Sequence, residues 1–183
     1  MEQVISGNNL SYMGKVELFL LKQDKQIKFA TFNEGLAGIA ELFTRACLGY
    51  PTQNYRPYYV DIRNEDTNES ALSELAELRA SSFDTIKEKD IEDIEKDGYI
   101  LGWKFPVFDA LIENENIINI DTGYYYIVLL SLNRTPLARV RIKVDKDSLS
   151  SKGTIPTLSL RSGNNILVKW SMYLSNRKEE DNG

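Results

Sequence analysis

The stretch TPLARVRIKV, residues 135–144, constrains the fold of this chain more than any other. Arg139, Arg141 and Lys143 take every second position, with Ala138, Val140, Ile142 and Val144 between them. Successive side chains of an extended strand point to opposite faces, so the segment reads as a strand with three cations on one side and an apolar row on the other. The apolar row must be covered by a second layer. The closing stretch repeats the pattern: Ile166, Val168, Trp170 and Met172 share one face, Leu167, Lys169, Ser171 and Tyr173 the other.

Other segments point the same way. KVELFLLKQDKQIKFATF, 15–32, holds two β-prone runs around Gln23-Asp24-Lys25-Gln26 and predicts a hairpin. YRPYYVDIRN at 55–64, GYILGWKFPVF at 98–108, NIINI at 116–120 and GYYYIVLLSL at 123–132 predict further strands. In the last 30 residues, Ser162-Gly163-Asn164-Asn165 has a turn composition between two alternating runs, the arms of a second hairpin. Helical spacing occurs twice. Leu36, Ile39, Ala40, Phe43 and Cys47 recur at i, i+3, i+4 intervals, with Asn33 placed to cap the start, Gly49 to end the helix and Pro51 to prevent its continuation. Leu36, Ile39 and Phe43 are its expected core residues. Leu72, Leu75 and Leu78 predict a short second helix. The expected fold is thus mainly β, a β-sandwich-like domain with one buried amphipathic helix and a short second helix.

In domain terms, residues 1–14 read as an N-terminal arm, 15–176 as the β-rich domain and 177–183 as a charged tail. Within the domain, DTIKEKDIEDIEKD at 84–97 is dense in charge and reads as an exposed loop. The 42% apolar content is ample for a core. One cysteine permits no internal disulfide, and MEQVISGNNL lacks the basic start and apolar run of a signal peptide, so synthesis in a cytoplasm is expected. Apolar runs such as YYYIVLLSL fall well short of the ~20 residues of a membrane helix, so no membrane span is expected.

Charge and residue choice narrow the function. The formal charge of −5 argues against a protein built to coat nucleic acid. The chain has no histidine, which removes the commonest general base, the usual triads and most catalytic zinc or iron sites. Cys47, on the predicted apolar side of the helix, reads as a small hydrophobe. Asp93, Glu95, Asp97 and Gly98 begin like a calcium loop, but the last ligand position is Lys104. Gly35 and Gly38 lack the Lys-Ser/Thr of a phosphate loop. The carboxylate pairs Asp109 with Glu113 and Glu115 with Asp121 have the residue types of a glycoside hydrolase, yet their spacing matches ordinary loop acids. No catalytic, cofactor or metal residues are therefore assigned, and an enzyme is not expected. For Arg139, Arg141 and Lys143 the candidates are nucleic acid, a phosphorylated substrate, an acidic patch of the chain itself or an acidic partner. Exposed aromatics for stacking are missing from the cationic segment, and acidic stretches such as NEDTNES abound, which favours pairing with acids within the chain or on a neighbour.

The order of the pieces FNEGLAGIAELFTRACLG, RPYYVDIR, LSELAELR, LLSLNRTPLARVRI and ILVKWSMYL resembles small tail and baseplate proteins of tailed bacteriophages. Leu75 to Arg79, Leu137 to Arg139 and Val168 to Trp170 carry the likeness, which spans roughly residues 15–175. The resemblance implies a non-enzymatic virion component of a tail, baseplate or adaptor, made in the host cytoplasm, without a cofactor. It further implies a homo-oligomer repeated around the tail axis and linked to other virion proteins. The residues themselves, a strand face of Arg139, Arg141 and Lys143 on a chain with no catalytic set, read as a docking edge for acidic groups. The alternative is a carbohydrate-binding module or depolymerase-associated protein, for which Tyr50, Tyr55, Tyr58, Tyr59, Trp103 and Tyr124 to Tyr126 would supply a stacking platform. A carboxylate hydrolase is the more distant rival.

Overall fold

The alternating stretches pair into two sheets. The computed structural model describes residues 9–22, 25–32, 34–79, 92–104, 107–145, 155–158 and 164–177. One sheet contains β1 (Asn9–Lys22), β2 (Lys25–Phe32), β6 (Glu92–Lys96), β7 (Tyr99–Lys104), β8 (Phe108–Ile112) and β12 (Asn165–Arg177). The other contains β3 (Glu34–Gly35), β4 (Pro57–Asn64), β5 (Ala76–Glu77), β9 (Gly123–Ser131), β10 (Pro136–Val144) and β11 (Thr157–Leu158). The single helix among the described residues is α1, Ala37–Cys47.

β12 organises the first sheet. Along one edge it pairs antiparallel with β1 from Asn9↔Arg177 to Leu21↔Asn165. Its other edge takes β8 at Ile166–Trp170 and β7 at Tyr173–Ser175. In the second sheet β9 lies between β4 and β10. The core forms where the inner faces meet: Val16, Leu18, Ile166, Val168 and Trp170 belong to one buried cluster with Val60, Ile62, Ile127, Leu129, Val140 and Ile142. Each such side chain contributes about 1.5–3 kcal/mol relative to exposure. Both flanks of the sandwich are tied. On one, only residue 33 separates β2 from β3, so the chain passes directly between sheets. On the other, β5 pairs with β4 while the Arg79 N–H donates to the Asp109 carbonyl on β8 at 2.7 Å.

The helix seals one end. The Leu36 N–H donates to the Leu137 carbonyl (2.8 Å), so α1 begins directly from the sheet with no side-chain cap, and residue 33 lies outside the described residues. Gly38, Ile39 and Leu42 are buried and Phe43 is partly so, whereas Ala40 and Cys47 are exposed. The apolar stripe is therefore turned from the expected one, and Cys47 is not part of the core. Its rotation follows from the contact at Gly38, where a Cβ would stand 2.3 Å from the Pro136 carbonyl oxygen. Only a glycine lets the helix approach β10 so closely. Gly49, at φ +71°, ends the helix as expected.

Several expectations on the elements are corrected. β1 begins at Asn9, so the stretch read as an arm over 1–14 is partly sheet. Lys25 and Gln26, expected in the turn of the first hairpin, are instead paired with Lys22 and Leu21, and residues 23 and 24 lie outside the described residues. No second helix forms: Leu72 makes a bridge to Ile117, and the Leu78 N–H bonds the Tyr58 carbonyl (2.9 Å). An extended backbone there satisfies both sheet edges, and a helix of that length is marginal without such pairing. Asn114–Asn116 is a 3-10 turn and Ile117 one bridge, so 116–120 is not a strand. Of the loop expected over 84–97, Glu92–Lys96 is β6, paired with β7 around an Asp97-Gly98 turn in which both residues have positive φ; residues 84–91 lie outside the described residues. β11 and β12 are not arms of one hairpin, because β11 runs parallel to β10 in the second sheet.

Candidate docking face

The outer face of the second sheet is built by alternation. On β10 the residues Ala138, Val140, Ile142 and Val144 are buried, leaving Arg139, Arg141 and Lys143 outward and half-buried. The register sets Arg141 beside Tyr126 and Lys143 beside Tyr124 on β9, and Tyr126 in turn beside Arg63 on β4. Cations and tyrosines thus interleave across three strands.

Each arginine is held by a carboxylate and a ring. Arg139 Nε donates to Glu34 Oε2 at 2.8 Å, and its guanidinium lies 4.2 Å from the Tyr126 ring centre. Arg141 donates from Nη2 and Nε to Glu65 Oε2 at 2.9 and 3.3 Å and lies 4.1 Å from the Tyr124 ring centre. Glu65 also accepts from the Tyr126 hydroxyl at 3.4 Å, joining the two stacks. The hydrogen bond to Glu34 raises the Arg139 pKa above the ordinary arginine value, and that to Glu65 does the same for Arg141. Both remain charged wherever the chain is folded. Lys143, 5.9 Å from the Tyr124 ring centre, has no ion pair among the described residues.

Beneath this ladder lies a buried carboxylate. Asp61 is 1% exposed and accepts from Arg63 Nε (3.0 Å), the Ser70 hydroxyl and the Ile62 N–H (2.8 Å). Asn64 Oδ1 accepts from the Asp66 and Thr67 N–H groups, fixing the turn that presents Glu65. Val128 and Leu130 point outward by alternation from the core residues Ile127 and Leu129, yet both are buried. The face is consequently ordered and partly desolvated.

Of the four ligands considered for the cationic row, the chain's own acids engage Arg139 and Arg141. Aromatics are present beside the row after all, supplied by β9, although the sequence of β10 alone has none. Their outward rings are stacked by guanidinium groups, as is Tyr55 by Arg45 at 3.9 Å, while Tyr58 and Tyr59 pack edge to face. A sugar ring needs an open aromatic face. Tyr55, Tyr124 and Tyr126 are each covered by a guanidinium group, Tyr50 is exposed, and the Trp103 side chain lies outside the described set.

The remaining candidates are dispersed. Asp109 faces Arg79 (3.4 Å), and Glu113, Glu115 and Asp121 are exposed. Asp93 and Asp97 sit on an antiparallel hairpin. No group of three or more Cys, Asp or Glu among the described residues is placed to hold a metal ion. No helix among them is long and apolar enough to cross a membrane. The acidic stretch NEDTNES supplies Glu65, the partner of Arg141, whereas sequence reading missed Glu34 and Asp61. A signal for the tyrosines existed, since folding 123–144 as one hairpin around Leu132-Asn133-Arg134-Thr135 already sets Tyr124 and Tyr126 beside Lys143 and Arg141. Neither protein-family models, nor curated protein sequences, nor solved structures match this chain.

Proposed function

We propose that this chain is a structural component of a bacteriophage tail, baseplate or adaptor, and that it joins neighbouring virion proteins through the outer face of its second sheet. The observation that carries the docking role is the Tyr–Arg–Glu ladder: rigid, half-exposed and nearly balanced in charge. Arginine and tyrosine are the residues enriched at the energetic centres of protein interfaces, and a guanidinium already stacked and bonded loses little freedom on docking. The virion setting rests on the order of sequence pieces that resembles phage tail proteins.

Replacing both arginines by glutamine removes the charge while keeping donors over the rings. Arg139→Gln with Arg141→Gln should abolish incorporation into particles in a complementation assay while the isolated protein keeps its unfolding midpoint. Normal incorporation would refute the docking face. Binding of the isolated protein to a glycan array would favour a carbohydrate-binding module instead.

A further inference from the structure

Charge is unevenly distributed over this acidic chain. No Asp or Glu occurs from Leu42 to Val60 or from Thr122 to Val144, although the chain contains 27 acids. The fold brings these two stretches together at the α1 end of the sandwich. There the Leu132 N–H bonds the Arg56 carbonyl (3.2 Å), and the Asn133 N–H the Asn54 carbonyl (2.9 Å). This end carries Arg45, Arg56 and Arg134 with the exposed side chains of Leu48 (61%), Tyr50 (57%) and Leu132 (39%). It is also rigid: the Leu48, Gly49 and Tyr50 N–H groups bond carbonyls of the last helical turns, and Arg45 is stacked on Tyr55 and bonded to Glu41. Arg134 sits at φ +65° on the β9–β10 turn, a conformation that a glycine would adopt without cost. Its guanidinium has no ion pair among the described residues and lies 6.0 Å from the Tyr59 ring centre. Apolar side chains held exposed on fixed turns, among cations, mark a contact surface.

A complementary element stands elsewhere on the same chain. The β6–β7 hairpin is joined to β12 only through Gly102–Lys104, so its turn end is held by no other strand among the described residues. It presents Asp93 and Asp97, both exposed, Glu92, which pairs with Lys104 of the same hairpin at 3.5 Å, and Tyr99, which is 73% exposed and the most open large apolar side chain described. An acidic hairpin with an aromatic anchor and a cationic end with apolar side chains fit one another.

We infer that the β6–β7 hairpin of one copy docks on the α1 end of a second copy of this chain. The two surfaces differ, and we take each to engage a different neighbour, so that the contact is head to tail and repeats into a ring or filament. This inference deepens the structural reading above and rests on it. Tyr99 would lie against Leu48, Tyr50 and Leu132, with the hairpin acids facing Arg134 and its neighbours.

The test uses two full-length variants, Asp93→Arg and Arg134→Glu, measured by sedimentation velocity separately and mixed. The unaltered protein should form species beyond the dimer that weaken as salt rises. Each variant alone sets like charges together and should associate more weakly by roughly tenfold or more. The equimolar mixture should recover association, since every alternating contact regains opposite charges. Tyr99→Ser should weaken association without touching the charges and serves if a charge variant misfolds. An unaltered protein that stays monomeric at the highest soluble concentration, association that stops at the dimer, or a mixture no better than its components overturns the inference. Incorporation into particles would be unaffected by such a failure, which separates it from failure of the structural role itself.

Discussion

Asp61 is the one buried charged residue among those described, and three donors fill its carboxylate below the protein surface. Asp61→Ala leaves the Arg63 guanidinium without this acceptor and the Ser70 hydroxyl with only its longer bond to the Leu72 carbonyl (3.4 Å), which should cost about 2–4 kcal/mol, read as a fall in the urea midpoint. Arg139→Gln, by contrast, removes half of a pair whose Glu34 partner is 61% exposed, and such pairs contribute about 0–1 kcal/mol. The two substitutions separate the supporting carboxylate from the docking ladder. Trp170 presents a different balance. It is fully buried at the centre of β12, yet its indole Nε1 has no hydrogen-bond partner among the described residues. Trp170→Phe gives up contact area but also the unsatisfied donor, so its cost should fall well below the roughly 3–5 kcal/mol of Trp170→Ala.

At the scale of elements, propensity and packing compete, and the α1 helix shows which wins. Alanine is a better helix former than glycine by about 1 kcal/mol, so Gly38→Ala would stabilise a free helix. Here the new Cβ would meet the Pro136 carbonyl oxygen at 2.3 Å and Leu137 Cδ2 at 3.0 Å. The helix would have to move off β10, so Gly38→Ala should lower the melting temperature. An unchanged or higher value would show that the contact is readily relaxed. The same competition explains what could be read in advance. The strand alternation of 135–144 and 166–172 was legible because one face is buried along the whole run, and a slip by one residue would expose it. The helix was legible in position but not in rotation, because that depends on a single close approach between Gly38 and a strand far along the chain. Leu72, Leu75 and Leu78 have helical spacing and nonetheless lie in extended backbone, because hydrogen bonds to Tyr58 and from Arg79 to Asp109 outweigh it. In the candidate site, the cations were readable from one strand, whereas Glu34 and Glu65 come from a sheet-switching strand and a turn whose register no local pattern encodes.

The whole molecule is closed by its own ends: β1, near the start of the chain, finds its partner in β12, near the finish. The first sheet therefore requires closure of nearly the entire chain, while β9 and β10 meet across one tight turn in the second. Loop-closure entropy opposes the first pairing far more than the second, so the second sheet should form earlier and refolding should fall in the millisecond-to-second range of such topologies. The order of events can be tested with two core substitutions. Ile127→Val, on β9, should cost about 0.5–1.5 kcal/mol and appear mainly as slower refolding, because its contacts are already made at the barrier. Val168→Ala, on β12, should cost about 2 kcal/mol and appear mainly as faster unfolding, because its contacts with β1 and β8 form after the barrier. Stopped-flow measurements over a range of urea concentrations distinguish the two arms. If Val168→Ala slows refolding while Ile127→Val does not, the terminal strands nucleate the fold, and the hairpin of β9 and β10 is assembled onto them.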